Sequence, residues 1–120
     1  MKIRIAKKED ADLLKQYDKH IAGTELCHAI SLGRVYVVEE DETFIGWLRY
    51  NLFWDHTPFM NMLYLLEPYR KKGYGKRTVE YWENQMKLNN YRCVMTSTAS
   101  DEYAQHFYVK LGYRTVGGFT

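Results

Sequence analysis

A glycine-containing loop with a dense cluster of cations is the segment best suited to chemistry. It has the pattern R-x-x-G-x-G at residues 70–75, and five cationic side chains lie in or just after it: Arg70, Lys71, Lys72, Lys76 and Arg77. Glycine lets the backbone approach phosphate oxygens, and the unpaired N–H groups at a helix start favour anions. The loop therefore predicts a site for a di- or polyphosphate group.

The best-known phosphate motifs do not match this loop. A P-loop requires G-x-x-x-x-G-K-[ST], and a dinucleotide fingerprint requires a third glycine where Thr78 stands. In the alternative interpretation, the glycines form a turn and the lysines are solvated. An apolar strand before the loop and an amphipathic helix after it favour the phosphate site over that alternative.

The elements that must position the loop follow an α/β order. Apolar alternation and short apolar runs predict strands at residues 2–5, 35–38, 44–54, 59–66, 93–96 and 113–116. Capping residues and apolar residues at helical spacing predict helices over about 10–23, 24–33, 76–88 and 100–112. Because the third and fourth strands are apolar at nearly every position, both of their faces should be covered.

Composition limits the class of protein. With 120 residues, 46% hydrophobic and 27% charged, the chain is one domain rather than a disordered or collagen-like segment. A net charge of +2 does not by itself indicate nucleic-acid binding. No apolar run approaches the about 18 residues of a membrane span, so we expect a cytoplasmic protein. Cys27 and Cys93 are then expected to be buried or partly buried free thiols.

Two motifs in register carry a family resemblance. The R-x-x-G-x-G loop resembles the acyl-CoA-binding motif of the GNAT superfamily of N-acetyltransferases. Residues 104–113, A-Q-H-F-Y-V-K-L-G-Y, resemble the late helix pattern A-x-x-F-Y-x-K-x-G-F/Y of the same family. The interval between the motifs and the order of the elements also agree with that family, so the resemblance covers essentially the whole chain.

The resemblance implies both a fold and an activity. The fold is a single α/β (α+β) domain over residues 1–120, with a central mixed, mostly antiparallel sheet flanked by about four helices. The activity is transfer of an acetyl group from acetyl-CoA to a primary amine through a tetrahedral intermediate. The alternatives are a non-catalytic acyl-CoA-binding module and, from the basic cluster, a nucleic-acid binder.

The resemblance also assigns residues of this chain to the acetyl-CoA site. The backbone of Leu63, Tyr64 and Leu65 is expected to hold the pantetheine arm and polarise the thioester. The backbone N–H groups of Arg70, Lys71, Lys72, Gly73, Tyr74 and Gly75 are expected to bind the pyrophosphate, with Lys76 at the end of the loop.

Tyr108 is expected to protonate the departing thiolate, which is a suitable task for a phenol beside sulfur. The alternative is a core aromatic on the same helix face. Asp101 stands where many family members carry an asparagine, and it ranks below the loop residues because a carboxylate cannot donate an amide N–H. The family also carries a further strand after the last one predicted here. We therefore expect the chain to be incomplete at its C-terminus, or a homodimer to complete the sheet.

The sequence says less about the site for the acceptor amine than about the site for acetyl-CoA. We expect a small-molecule or peptide amine as the partner, and we expect neither nucleic-acid nor membrane binding. Glu67, after the fourth strand, is the first candidate for the general base, and Asp55 and His56 are others. Each can equally be an ordinary surface residue. His20, Cys27 and His28 lack zinc-like spacing, so we expect no metal. The wider set of acceptor-side candidates is Glu25, His28, Trp47, Arg49, Asn51, Trp54, Asp55, His56, Asn61 and Glu67.

Overall fold

A mixed sheet of five strands forms the centre of the computed structural model, which describes residues 1–97 and 107–114. The strand order is the chain order, with four antiparallel strands and a fifth that runs parallel to the fourth. The predicted mixed, mostly antiparallel sheet is therefore confirmed. The strands are β1 (Lys2–Ile5), β2 (Val35–Glu40), β3 (Thr43–Phe53), β4 (Thr57–Leu65) and β5 (Met95–Thr96).

The helices are α1 (Ala11–Tyr17), α2 (Gly23–Ser31) and α3 (Tyr74–Leu88), and residues 107–110 are also helical. Short 3-10 turns at Lys8–Asp10 and Glu67–Tyr69 precede α1 and α3. The described elements thus follow the predicted order as far as the helical residues 107–110.

Several predicted boundaries are wrong. The first helix ends at Tyr17 instead of near residue 23, because the next residue turns to an extended conformation and its side chain enters the core. Helix α3 begins two residues early, since a left-handed glycine turns the chain just before it. Strand β5 has two residues, and Tyr113 and Arg114 are not in a strand. The rest of that last predicted strand, residues 115–116, lies outside the described residues.

Helices cover the sheet on both faces. On one face, α1 and α2 pack over β2 and β3, burying Leu14, Leu26 and Trp47. On the other face, α3 buries Trp82 against Leu48 of β3. Successive side chains of a strand point to opposite faces, so Trp47 and Leu48 are both buried. The prediction of coverage on both faces is confirmed for the middle of β3, residues 45–49, but β4 has exposed residues at Asn61 and Tyr64.

Both cysteines are exposed, so the prediction of buried thiols is wrong. Helix α2 buries Leu26 and Ile30, four residues apart on one face, and Cys27 lies off that face. Cys93 lies in the connection between α3 and β5. None of the helices in the described parts of the chain is long and apolar enough to cross a membrane.

Candidate functional site

Strands β4 and β5 pair over only two residues each, because β5 is Met95–Thr96. Their pairing covers Phe59 with Met95 and Met60 with Thr96. Over the rest of β4, the structure describes no strand partner on this side. A cleft of about 220 Å³ opens at this point, and it is lined by Met60, Asn61, Met62, Leu63, Thr96, Ser97 and Tyr108.

The register of β3 and β4 determines which backbone groups of β4 face that cleft. The N–H of Leu66 donates to the Ile45 carbonyl, at 2.8 Å. Hydrogen-bonded pairs alternate along an antiparallel ladder, so Tyr64 exchanges its backbone bonds with its partner Trp47. The N–H and C=O groups of Leu63 and Leu65 then point away from β3, toward the cleft side.

The Arg70 side chain binds the C-terminal end of β4. Its Nε donates to the Leu65 carbonyl at 2.8 Å, and its guanidinium carbon lies 4.9 Å from the centre of the Tyr64 ring. A cation over an aromatic face is attracted by the ring quadrupole. The loop arginine is therefore fixed against the strand whose backbone faces the cleft.

The glycine loop leads into the uncapped start of α3. Gly73 has φ of +86° and precedes the first residue of the helix, where no side chain caps the free N–H groups. The first turn carries no acidic residue, whereas Lys76 and Arg77 lie within it. These N–H groups and cations together favour an anion at this end of α3.

Gly75 lies in the first turn of α3, next to the end of β4. A Cβ at this position would lie 3.4 Å from Cζ of Phe107 and 3.6 Å from Cδ1 of Leu65. The second glycine of the motif therefore sits where the helix start, the end of β4 and the late helical segment meet. The neighbouring Tyr74 points its hydroxyl elsewhere, donating to Glu40 at 2.6 Å.

Tyr108 lies in the wall of the cleft, half-buried, with Thr96 beside it. Its ring packs edge-on against Phe107 and Tyr113, with centroids 5.0 and 5.4 Å away. Burial raises the pKa of the Tyr108 phenol, and a hydrogen bond with Thr96 opposes the shift without cancelling it. The phenol therefore keeps its proton at neutral pH and can act as a donor.

A second cavity, of about 420 Å³, lies between α2 and the sheet. Five of the acceptor-side candidates line it: Glu25, His28, Arg49, Asn51 and Asn61. Tyr50 of β3 also lines it, as does Arg34, which the sequence analysis missed. Arg34 belongs to no motif, and only the position of α2 over β3 brings it to this cavity.

Asn61 lines both cavities, so they adjoin at this residue. The register of β3 and β4 shifts here, because Arg49 pairs with Met62 while Tyr50 pairs with Met60. Asn61 is the extra residue of this β-bulge, and a bulge redirects a side chain and bends its strand. Its Nδ2 donates to Oδ1 of Asn51 at 3.3 Å.

A buried ion pair supports the floor of the second cavity. Arg49 donates from Nε to the Asp18 carboxylate at 2.7 Å, and Trp47 Nε1 donates to the same oxygen at 3.1 Å. Burial raises the pKa of the Asp18 carboxyl, but the hydrogen bond and charge of Arg49 outweigh it, and the net pKa is lowered. Sequence reasoning missed Asp18, since its partners lie about thirty residues away along the chain.

The other acceptor-side candidates line neither cavity. Trp54, Asp55 and His56 form the tip of the β3–β4 hairpin, with Trp54 78% exposed. Glu67 is exposed in the 3-10 turn after β4. Asp101 lies outside the described residues. Within residues 1–97 and 107–114, no group of three His, Cys, Asp or Glu side chains is placed to hold a metal ion.

Comparison with protein families agrees with this geometry. The model of the acetyltransferase (GNAT) family matches residues 5–113. The chain belongs to the GNAT family. No curated protein shows significant sequence similarity to it.

Solved GNAT structures share its fold. Aminoglycoside N-acetyltransferase AAC(6')-Iy, in complex with CoA, aligns with a TM-score of 0.84 and 14% identity, over 99% of this chain and 96% of that one. The PaiA N-acetyltransferase from Thermoplasma acidophilum, in complex with coenzyme A, gives 0.78 and 19%, over 94% and 89%. A GNAT family acetyltransferase from Bacillus cereus gives 0.74 and 22%, over 97% and 84%. At these identities the likeness shows the fold.

Proposed function

We propose that this GNAT protein transfers an acetyl group from acetyl-CoA to a primary amine. The observation that carries the proposal is the cleft between β4 and β5, which has Tyr108 in its wall and the uncapped start of α3 near its end. AAC(6')-Iy and the PaiA enzyme, both of similar fold, are described in complex with CoA. That likeness supports a CoA thioester as the acyl donor.

In this proposal the donor lies along β4. The first-turn N–H groups of α3, the glycine loop and Lys76 bind the diphosphate, since a helix start and nearby cations favour phosphate. The pantetheine arm hydrogen-bonds to the outward backbone groups of Leu63 and to the N–H of Leu65, whose carbonyl already accepts from Arg70. Because Tyr64 pairs with β3, its contribution is the ring that supports Arg70.

The reaction needs a proton donor and a proton acceptor. The amine nitrogen attacks the thioester carbonyl carbon, and a backbone N–H of β4 stabilises the oxyanion that forms. The C–S bond then breaks, and the thiolate takes a proton from Tyr108. A base must accept the amine proton, and we propose Glu67 for this role. Because the Glu67 side chain lines neither cavity, it would accept the proton through a water molecule.

Two measurements test the proposal. Calorimetry should show binding of acetyl-CoA, and a thiol-release assay over a panel of primary amines should show turnover. Binding without turnover on any amine would favour the non-catalytic module, which no observation on the described residues supports at present. Absence of binding would refute both. Glu67→Gln should lower turnover and leave acetyl-CoA affinity unchanged, and unchanged turnover would remove Glu67 from the mechanism.

The location and the assembly are further parts of the proposal. We propose a cytoplasmic protein that forms a homodimer, in which a second chain adds to the sheet. Native mass spectrometry of the folded protein tests the dimer directly, and a monomer at all concentrations would refute it.

A further inference from the structure

The cavity under α2 carries opposite charges on different walls. Glu25 lies on α2, whereas Arg34 lies just before β2 and Arg49 on β3. Among the described residues, neither Glu25 nor Arg34 forms an ion pair. The cavity therefore offers an anionic group on one wall and a cationic group on another, both without a partner in the described part of the chain.

Arg49 adds fixed hydrogen-bond donors to the cationic wall. The Asp18 carboxylate holds its Nε at 2.7 Å and its Nη2 at 3.4 Å. The Nη1 atom of Arg49 has no hydrogen bond to a described residue. The buried polar atoms without a partner in the described residues are Trp82 Nε1 and the Tyr113 hydroxyl, so Nη1 retains access to solvent. Since Arg49 lines the cavity, the outer edge of a rigidly held guanidinium is available to a ligand there.

Arg34 supplies the uncompensated charge. It is half-buried, and its charge acts on the neighbouring Tyr50 hydroxyl, lowering a pKa that burial raises. Asp18 neutralises Arg49, but no carboxylate of the described residues neutralises Arg34. Guanidinium groups bind carboxylates with two parallel hydrogen bonds, so this wall suits a carboxylate.

We infer that the acceptor is a small amino acid, held by its carboxylate at Arg34 and Arg49, with Glu25 as the charge complement of its ammonium group. The inference rests on the proposed function and names the substrate class of that same site. The cavity has the size of a small-molecule site, at about 420 Å³. Asn61 joins it to the cleft at Tyr108, so an amine bound here adjoins the proposed thioester position.

A polycationic amine suits this cavity less well. AAC(6')-Iy, an aminoglycoside N-acetyltransferase, is similar in fold, but here the unpaired guanidinium of Arg34 lines the acceptor cavity and would repel an ammonium group placed beside it. The specificity of the fold relatives therefore does not transfer to this chain.

The test compares matched acceptors at saturating acetyl-CoA. The panel is the twenty amino acids, their carboxamides, spermidine and neamine, assayed by thiol release. We expect the best amino acid to exceed its carboxamide at least tenfold in kcat/KM. Arg34→Gln should reduce this preference to less than twofold, by raising KM for the amino acid far more than KM for the carboxamide. Arg92→Gln, at an exposed arginine outside the cavity, is the matched control and should change neither.

Two outcomes would overturn the inference while the proposed function stands. In one, spermidine or neamine exceeds every amino acid in kcat/KM. In the other, Arg34→Gln leaves the preference for the carboxylate intact.

If no amine in the panel causes release of thiol from acetyl-CoA, the proposed function fails. The inference about the cavity is then tested by ligand binding alone. The twenty N-acetyl amino acids should then bind at least tenfold more tightly than their carboxamides in NMR titrations, and Arg34→Gln should abolish the difference. Equal binding, or none, would refute the inference.

Discussion

Replacing Asp18 by asparagine should destabilise the fold far more than a typical surface substitution. The Asp18 side chain has no exposed area, and that of Arg49 is 9% exposed. The two carboxylate oxygens of Asp18 accept hydrogen bonds from Arg49, from Trp47 Nε1 and from the backbone N–H of His20. Asparagine preserves the shape, keeps one acceptor oxygen and removes the charge, so Arg49 becomes a buried cation without a counter-ion.

The expected loss in the free energy of unfolding is about 3 kcal/mol. Removing one member of a buried ion pair costs roughly 3–5 kcal/mol, and the remaining amide oxygen of asparagine places this variant at the lower end. For a domain of this size, about 1 kcal/mol corresponds to about 4 °C in Tm. The melting temperature should therefore fall by about 12 °C.

Urea unfolding, followed by tryptophan fluorescence, measures this loss directly. Asp12→Asn is the matched control, because Asp12 is exposed in the first turn of α1 and should contribute less than about 1 kcal/mol. If Asp18→Asn lost no more stability than Asp12→Asn, the buried ion pair would not hold β3 to the end of α1, and the reasoning would be wrong.

The same pair predicts a pH dependence. The pKa of Asp18 is lower in the folded state than its ordinary value of about 3.9. The contribution of Asp18 to stability is therefore complete above about pH 4 and is lost as pH falls through the lower folded pKa. The gap in stability between the wild type and Asp18→Asn should narrow in that acid range and stay constant from pH 5 to 7.

Three further predictions test the site and its scaffold. Tyr108→Phe should lower turnover about 100-fold, the lower end of the range for general acid catalysis, and leave the Kd for acetyl-CoA within twofold; equal turnover would assign Tyr108 to the core alone. Gly75→Asp should weaken acetyl-CoA binding at least tenfold in calorimetry, because it places a carboxylate at the start of α3. Gly75→Ala should bind nearly normally, since its Cβ makes only ordinary contact at 3.4 Å. Gly46→Ala should lower stability by at least about 2 kcal/mol in urea, because its Cβ would collide with the Tyr64 carbonyl and lie 3.1 Å from the Leu65 Cα. Gly23→Ala, which meets only the flexible end of Lys15, should be nearly neutral, and similar losses for both variants would refute the backbone argument.

Much of the fold could be predicted from local pattern. Apolar spacing located α3 and the three long strands, and the R-x-x-G-x-G segment was correctly placed where the chain passes from β4 into α3. Boundaries were less accurate where a single residue decided them. Gly73 adopts a left-handed conformation, and α3 therefore starts two residues earlier than predicted. Helix α1 ends earlier than predicted because the Asp18 side chain turns into the core.

Part of the candidate site could also be predicted from local motifs, and part could not. The motif located the glycine loop and Tyr108, and the resemblance named the three residues at the end of β4. The alternation of hydrogen bonds between β3 and β4 then separated Tyr64, which pairs with Trp47, from its two neighbours, whose backbone groups face the cleft side. No motif carries that information, because it depends on the register of two strands.

The sequence by itself determined the family, the order of the elements and the position of the glycine loop, because these depend on residue types at short, regular spacing. The tertiary structure decided the rest. It closed the ion pair between Asp18 and Arg49, placed Arg34 and Glu25 on one cavity, and used the bulge at Asn61 to join that cavity to the cleft at Tyr108. These arrangements bring together residues far apart in the chain, and only the packing of α2 and the register of the sheet bring them within contact.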